Sequence, residues 1–150
     1  MRSVVHKIYP NVADGKYVEL FKSHDDRFVD GGQLRDFVYV KDCVNVVMWL
    51  LENPRVSGLL NIGTGKARSF RDLALAVGRG CGREVGIRYV DVPPTIRARY
   101  QYFTEANVTK LRRLGYARVF TELEEGVRDY IVNHLQPNRD AEPPCELGRE

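Results

Sequence analysis

The sequence lacks an apolar run long enough to cross a membrane. A bilayer-spanning helix needs roughly 20 consecutive apolar residues, whereas charged residues make up 29% of this 150-residue chain and recur throughout it. The first residues, MRSVVHK, also lack the apolar segment of a secretory signal. We therefore expect a cytoplasmic protein with no membrane partner.

Grouped cysteine and histidine residues are also missing. The three cysteines, Cys43, Cys81 and Cys145, are widely separated, and the three histidines are equally scattered. An odd number of cysteines without a Cys-x-x-Cys pair indicates neither a disulfide framework nor a structural zinc site. We expect reduced thiols and no bound metal.

A strong charge of one sign is absent as well. The formal net charge is +3, and basic residues alternate with acidic ones except in two short clusters at 97–99 and 110–113. Nucleic-acid-binding domains usually concentrate basic residues on one face. We expect no nucleic-acid partner, and an anionic small molecule would explain the mild basic excess.

The residues that are present predict one α/β unit. Hydrophobic residues make up 43% of the chain, enough for a single core. Apolar periodicity and turn residues predict strands over 17–21, 37–40, 58–63 and 85–92, and helices over 1–13, 42–53, from 69 to the glycines at 78–82, 104–114 and 121–135. We expect residues 1–136 to form the folded part and residues 137–150 to be a disordered tail.

Four polar residues are predicted to begin helices. Asp42, Thr104 and Thr121 each precede an apolar helical pattern, and Ser69 is followed three residues later by Asp72 in a capping-box arrangement. In the helix that Asp42 would begin, the apolar pattern runs through Val44, Val47, Met48 and Leu51, and helical spacing predicts that Met48 and Trp49 are core residues.

Motifs for cofactor binding and hydride chemistry are not found. None of the eight tyrosines is followed by lysine at the fourth position, and Gly63-Thr64-Gly65 lacks the third glycine of a dinucleotide-binding turn. Lys66-Ala67 also differs from the Gly-Lys-Ser/Thr ending of a phosphate-binding loop. We expect no catalytic residue in this chain and no cofactor bound by it alone.

Two motifs resemble a known superfamily. Residues 35–42, RDFVYVKD, and 61–65, NIGTG, followed by Ser69, resemble segments of extended short-chain dehydrogenases. Three further stretches, LFKSH at 20–24, GKARSF at 65–70 and RYQYFT at 99–104, resemble the ADP-glyceromanno-heptose 6-epimerase family. The resemblance covers residues 1 to about 135. It implies a C-terminal fragment of an extended Rossmann-type fold without its dinucleotide-binding half.

The resemblance also implies an activity for the intact enzyme. Such enzymes hold NADP in the first half, oxidise C6 of an ADP-heptose to a transient carbonyl and return the hydride to the opposite face, in the supply of lipopolysaccharide core sugars. In that scheme this chain recognises the nucleotide-sugar and is inactive without an N-terminal half. Assembly of several copies is left open.

Six residues match substrate-contacting positions of that family: Phe21, Lys22, Ser23, His24, Arg35 and Tyr100. A guanidinium such as that of Arg35 can grip phosphate oxygens with two parallel hydrogen bonds. The alternatives are an ion pair of Arg35 with Asp36 or with a loop residue, and a solvated charged hairpin at residues 21–24. At the level of the whole chain, a non-catalytic nucleotide-sugar binding module and a part of another nucleotide-sugar epimerase or dehydratase compete with the epimerase interpretation.

Overall fold

The computed structural model describes residues 3–141. Its helices are α1 (Val4–Ala13), α2 (Val40–Glu52), α3 (Phe70–Cys81), α4 (Pro94–Arg97), α5 (Thr109–Arg113), α6 (Leu123–Tyr130) and α7 (Gln136–Ala141), with a π-helical turn over Ile131–Leu135. Its strands are β1 (Val18–Phe21), β2 (Leu34–Arg35), β3 (Arg68–Ser69), β4 (Ile87–Val90) and β5 (Phe103–Thr104). Within the described range, no helix is long and apolar enough to span a membrane.

The strands form two small sheets. β1 pairs in parallel with β4, in a register that sets Val18 opposite Ile87 and Phe21 opposite Val90. In the second sheet β2 lies between β3, to which it is antiparallel, and β5, to which it is parallel. Parallel strands need a crossover connection, and here the crossover from β1 to β4 contains α2, β2, β3 and α3. The carboxyl ends of β1 and β4 therefore lie side by side.

The larger hydrophobic core lies where α1, α3, α6 and the π-helical turn pack around β1. On β1 the buried residues alternate, with Val18 and Leu20 facing the core. Val77 of α3 and Ile131 of the turn are completely buried. Burial of each such side chain stabilises the fold by about 1.5–3 kcal/mol relative to exposure.

A second core lies under α2. Val46 of α2, Leu111 of α5, Tyr116 and Phe120 are its buried members. Trp49, which the sequence predicted to be a core residue, packs on this core, but Met48, predicted likewise, lies on a face of α2 that points outward. The residues of that face are 51% to 71% exposed, and they are Val40, Val44, Val47, Met48 and Leu51. We call this set the outer α2 face. Its exposure means that apolar periodicity correctly predicted the helix but not which face packs within this chain.

Two of the predicted strands differ in the structure. Residues 37–39 do not join a sheet, because the strand ends at Arg35 and Val40 already begins α2. Their side chains still alternate: Phe37 packs edge-on against Phe70 at 5.5 Å, and Val38 packs on the second core. Residues 58–63 are likewise outside both sheets, although Leu60 and Ile62 pack inward and Leu59 is 87% exposed.

Only one of the four predicted helix caps is confirmed. Ser69 and Asp72 form a complete capping box at the start of α3. Asp42 lies inside the first turn of α2 rather than before it, and its buried carboxylate accepts hydrogen bonds from the backbone and hydroxyl of Thr121 at 2.8 and 3.0 Å. Thr121 therefore joins two segments instead of capping α6, and Thr104 lies in β5.

The C-terminal helical region extends past the predicted boundary at residue 136. The backbone continues from α6 through the π-helical turn into α7, so residues 137–141 are helical. The remainder of the predicted disordered tail, residues 142–150, lies outside the described residues.

The Asp36 carboxylate links the end of β2 to the 63–65 turn and to the residues that follow β5. Its oxygens accept hydrogen bonds from the backbone N–H groups of Thr64, Gly65 and Ala106 at 2.8, 2.9 and 3.0 Å. A fourth bond, 2.5 Å long, comes from the Thr64 hydroxyl. Gly63 packs so closely here that a Cβ atom would lie 2.4 Å from Ala106 and 2.6 Å from Asp36. The carboxylate thus fixes the 63–65 turn beside β2 and β5.

Replacement of Asp36 by asparagine should destabilise the fold by about 2–3 kcal/mol, because its amide would leave backbone donors without an acceptor. Urea denaturation of the Asp36→Asn and wild-type chains measures this difference in unfolding free energy. Asp26→Asn, in an exposed loop, is the matched control and should change stability little. Equal effects of the two substitutions would contradict the role given to Asp36.

The same carboxylate should make stability sensitive to acid. Burial raises the pKa of Asp36, but the hydrogen bonds from Thr64, Ala106 and Gly65 outweigh it and hold the pKa below its ordinary value of 3.8. A carboxyl group with a pKa lowered by folding stabilises the protein above its unfolded pKa, and this contribution is lost as pH falls through the folded value. The stability difference between wild type and Asp36→Asn should therefore shrink below about pH 4. Urea titrations at several pH values test this, and a constant difference would count against it.

Candidate nucleotide-sugar site

The four residues at positions 21–24 lie at the carboxyl end of the β1–β4 pair. Phe21 is the last residue of β1, and the backbone N–H of Lys22 still donates to Val90 at 2.8 Å. Beyond it the chain turns away: the N–H of Ser23 donates to Asp30 at 2.7 Å. Backbone bonds at both ends therefore hold the segment in place.

Aromatic rings connect this segment to the residues around position 100. Phe21 and Tyr100 meet edge to face with their ring centres 5.7 Å apart. Tyr100 makes the same kind of contact with Tyr102 at 5.5 Å, and the Tyr102 hydroxyl accepts the backbone N–H of His24 at 2.9 Å. Edge-to-face pairs of this geometry add about 0.5–1.5 kcal/mol beyond their buried area. The loop and the 100–102 segment are therefore one structural unit.

Arg35 lies beside Tyr100. Its guanidinium carbon is 5.6 Å from the ring centre of Tyr100 and 5.7 Å from that of Phe70. One terminal nitrogen donates to the carbonyl of Leu34 at 2.7 Å, and the other donates to the carbonyl of Gln101. Ring contacts and backbone acceptors together hold the guanidinium at the C-terminal side of β2.

The structure does not contain the alternative pairing of Arg35 with Asp36. The Asp36 carboxylate is bonded to residues 64, 65 and 106 instead. A guanidinium has five N–H donors, and two hydrogen bonds are formed by Arg35 within the described part of the chain. Arg35 thus keeps its charge uncompensated by its neighbour and has donors left for an anion.

Lys22 and His24 share one acidic neighbour. The Lys22 ammonium and the His24 Nε2 each lie 3.7 Å from an oxygen of Asp91, the residue after β4. The Lys22 and Asp91 side chains are 45% and 62% exposed, and exposed pairs at this distance contribute little to stability. The Lys22 ammonium is therefore free to exchange Asp91 for a ligand anion.

The Tyr100 hydroxyl is a hydrogen-bond donor in this arrangement. Burial raises the pKa of its phenol, and the nearby Arg35 guanidinium only partly opposes that effect. At neutral pH the hydroxyl is therefore protonated and can donate to an oxygen acceptor. The cluster then offers two cationic groups, a phenol and an aromatic face within one surface region.

The Ser23 hydroxyl is hydrogen-bonded within its own loop. Its hydroxyl donates to the carbonyl of Asp25 at 2.8 Å and accepts the N–H of Asp25 at 3.2 Å. These bonds shape the turn rather than face the guanidinium and phenol. The structure thus brings five of the six predicted residues together as ring or charged groups, while Ser23 supports the loop.

Sequence reasoning missed three residues of this region. Asp91 borders it only because β4 lies parallel to β1, and Tyr102 joins it through the His24 backbone. Gln33 is 1% exposed and bonds the loop from beneath. The polar residue directly after each strand was the available signal for Asp91, but the pairing of the two strands could not be read from sequence.

The glycine turn at residues 63–65 does not fit a dinucleotide. Backbone N–H groups at such a turn would have to face the pyrophosphate, yet those of Thr64 and Gly65 are bonded to Asp36. The Asp36 carboxylate also puts a negative charge beside this turn, which disfavours a phosphate there. Within residues 3–141, groups of histidine, cysteine and acidic side chains that could hold a metal are likewise not found.

A separate cavity of about 750 Å³ lies between the start of α1, the 36–40 segment and α6. Its walls are mostly apolar and include Val5, Phe37, Val38, Leu123 and Val127. None of the six predicted substrate residues lines it. Because no lysine or arginine side chain lines it, it does not suit a diphosphate.

Residues 1–63 match the model of the NAD dependent epimerase/dehydratase family. The chain is 50% identical over 135 residues to an ADP-L-glycero-D-manno-heptose-6-epimerase of Nitratidesulfovibrio vulgaris, covering 90% of this chain and 42% of that protein. It is 46% identical over 141 residues to the enzyme of that name from Fusobacterium nucleatum, again covering 90% of this chain and 42% of the relative.

The fold matches as well. The structure of Helicobacter pylori ADP-L-glycero-D-manno-heptose-6-epimerase superposes with a TM-score of 0.70 at 25% identity, over 95% of this chain and 39% of that one. The chain thus spans about two fifths of the length of these relatives, as predicted for a fragment of a Rossmann-type enzyme. In sequence and in fold, this chain is thus similar to members of the NAD-dependent epimerase/dehydratase family.

Proposed function

We propose that this chain is the substrate-recognition part of an ADP-heptose 6-epimerase. The observation that carries the proposal is the cluster of Phe21, Lys22, His24, Arg35 and Tyr100 on one surface region, in a sequence half identical to an enzyme of that name. The remaining donors of Arg35 bind the diphosphate, with Lys22 adding charge. The Tyr100 phenol donates to a phosphate or sugar oxygen.

The chemistry of this site is recognition rather than bond breaking. The groups present can neutralise, hydrogen-bond and orient an anionic sugar nucleotide, and orientation alone can supply a large part of an enzymatic rate enhancement. NADP, the cofactor we assign to the intact enzyme, binds to a part that this chain does not span, because the 63–65 turn is closed by Asp36. The chain alone is accordingly inactive.

The outer α2 face is the surface for that other part. Five apolar side chains that are at least half exposed form a stripe along α2, and stripes of this kind mark interaction surfaces. The occupant we assign is the part of the epimerase that this chain does not span, since relatives are more than twice as long. Nearby in sequence, the 87% exposed side chain of Leu59 provides a further apolar group.

A second candidate is a related enzyme acting on another sugar nucleotide. The structure of Thermus thermophilus UDP-glucose 4-epimerase in complex with NAD superposes with a TM-score of 0.65 at 26% identity, over 83% of this chain and 37% of that one. Arginine and aromatic groups would serve a UDP-sugar equally well. Competition between ADP- and UDP-sugars separates the two candidates.

Arg35→Lys should weaken ADP-heptose binding at least tenfold, because lysine cannot form paired hydrogen bonds to a phosphate. Isothermal titration of the chain measures the affinity. Arg55→Lys, at an exposed turn, is the control and should bind as wild type does. An unchanged affinity for Arg35→Lys would remove Arg35 from the site, and equal competition by UDP-glucose would favour the second candidate.

Val44→Asp should abolish association with the unspanned part of the Nitratidesulfovibrio vulgaris relative, because it places a charge in the apolar outer α2 face. Sedimentation and ADP-heptose isomerisation are measured on the mixture, which should be active only with wild-type chain. Val132→Asp puts the same charge on a 45% exposed valine of the π-helical turn and should leave both unchanged. If Val44→Asp instead abolished a homodimer of this chain, the outer α2 face would be assigned to contact with a second copy.

A further inference from the structure

A buried glutamine lies directly beneath the candidate site. Gln33 is 1% exposed, and glutamine is rarely buried so completely unless its amide is hydrogen-bonded. Its side-chain nitrogen donates to the carbonyl of Phe21 at 3.2 Å and to that of Lys22 at 3.0 Å. An amide has two N–H donors, and both donors of Gln33 are hydrogen-bonded to the first two residues of the 21–24 segment.

These bonds fix the point where the chain leaves β1. The carbonyl of Phe21 also accepts the N–H of Gly31 at 3.0 Å, so the loop closes back onto its own start. Gly31 has a φ of 69°, and a Cβ there would lie 2.9 Å from the Tyr89 ring, which leaves little room for the loop to move. Gln33 bonds the same turn through its side chain, from inside the protein.

The backbone of Gln33 belongs to the other half of the site. Its carbonyl accepts the N–H of Phe70 at 3.2 Å, at the start of α3. Two residues further along the chain is Arg35, whose guanidinium lies against the Phe70 and Tyr100 rings. Gln33 therefore contacts the end of β1 with its side chain and the start of α3, beside the β3–β2–β5 sheet, with its backbone.

We propose that Gln33 is a positioning residue that sets the separation between Lys22 and Arg35 in the sugar-nucleotide site. The identity of the ligand in this inference rests on the proposed function, whereas the hydrogen bonds from Gln33 to the carbonyls of Phe21 and Lys22 are independent of it. Two cations that bind one diphosphate must be held at a fixed spacing, and a misplacement of about 1 Å can cost up to a hundredfold in an oriented reaction. The buried amide provides that spacing without itself touching the ligand.

The required chemistry is an amide with two donors. Methionine has a similar length but no N–H, so the carbonyls of Phe21 and Lys22 would lose their buried donor. Glutamate would set a carboxylate against two carbonyl oxygens, a contact that raises the pKa of the acid and favours its protonated form. Protonation returns one donor, so a glutamate at position 33 should work better in acid.

The test uses Gln33→Met and Gln33→Glu in the complete chain, with Gln136→Met at the start of α7 as control. Titration with ADP-heptose and amide hydrogen exchange are measured on each. Gln33→Met should bind at least tenfold more weakly, with faster exchange confined to residues 22–24. Gln33→Glu should approach wild-type affinity as the pH is lowered, relative to wild type at the same pH.

Three outcomes would overturn the inference. Wild-type affinity in Gln33→Met is one, and a rise in exchange spread over β4 and α3 is another, because it would make Gln33 a general core residue. The third is a pH-independent defect in Gln33→Glu. If the wild-type chain binds no ADP-heptose, the proposed function fails, and the exchange pattern alone then decides whether Gln33 positions the segment.

Discussion

The architecture of this chain depends on the hydrogen bonds that the Asp36 carboxylate accepts. The strands of the second sheet are too short to hold it by ladder bonds alone, since β2, β3 and β5 have two residues each. Asp36 compensates by binding three backbone donors and a hydroxyl from two distant segments. Its position next to Arg35 means that the same carboxylate that holds the fold also leaves the guanidinium without an adjacent counter-ion. Fold and site are thus coupled through two neighbouring residues.

Sequence patterns anticipated the parts of the molecule that depend on local chemistry. The Ser69–Asp72 capping box, the strand ending at Phe21 and the α/β class all follow from residues close together in the chain. The six candidate residues were found by resemblance, and the structure groups five of them. Whether they bind a sugar nucleotide remains a prediction.

What the sequence did not reveal depends on long-range partners. Asp42, Thr104 and Thr121 have the composition of helix caps, yet Asp42 and Thr121 bind each other across 79 positions. The alternation of Phe37, Val38 and Tyr39 is that of a strand, but Phe37 and Val38 pack on the two cores without a ladder. The outer α2 face is a further example, because periodicity identifies an apolar stripe but does not tell which molecule covers it.

The parallel pairing of β1 with β4 also has a consequence for synthesis and folding. The site needs residues 21–24, 35 and 100 together, and the pairing that aligns them spans the crossover between Phe21 and Val90. Contacts between residues so far apart in sequence form slowly, because a long loop must close, at a cost in entropy, before any of these contacts can stabilise the chain. The nascent chain would expose Arg35 and Lys22 long before Tyr100 leaves the ribosome, so ligand recognition is a late event in the life of the polypeptide.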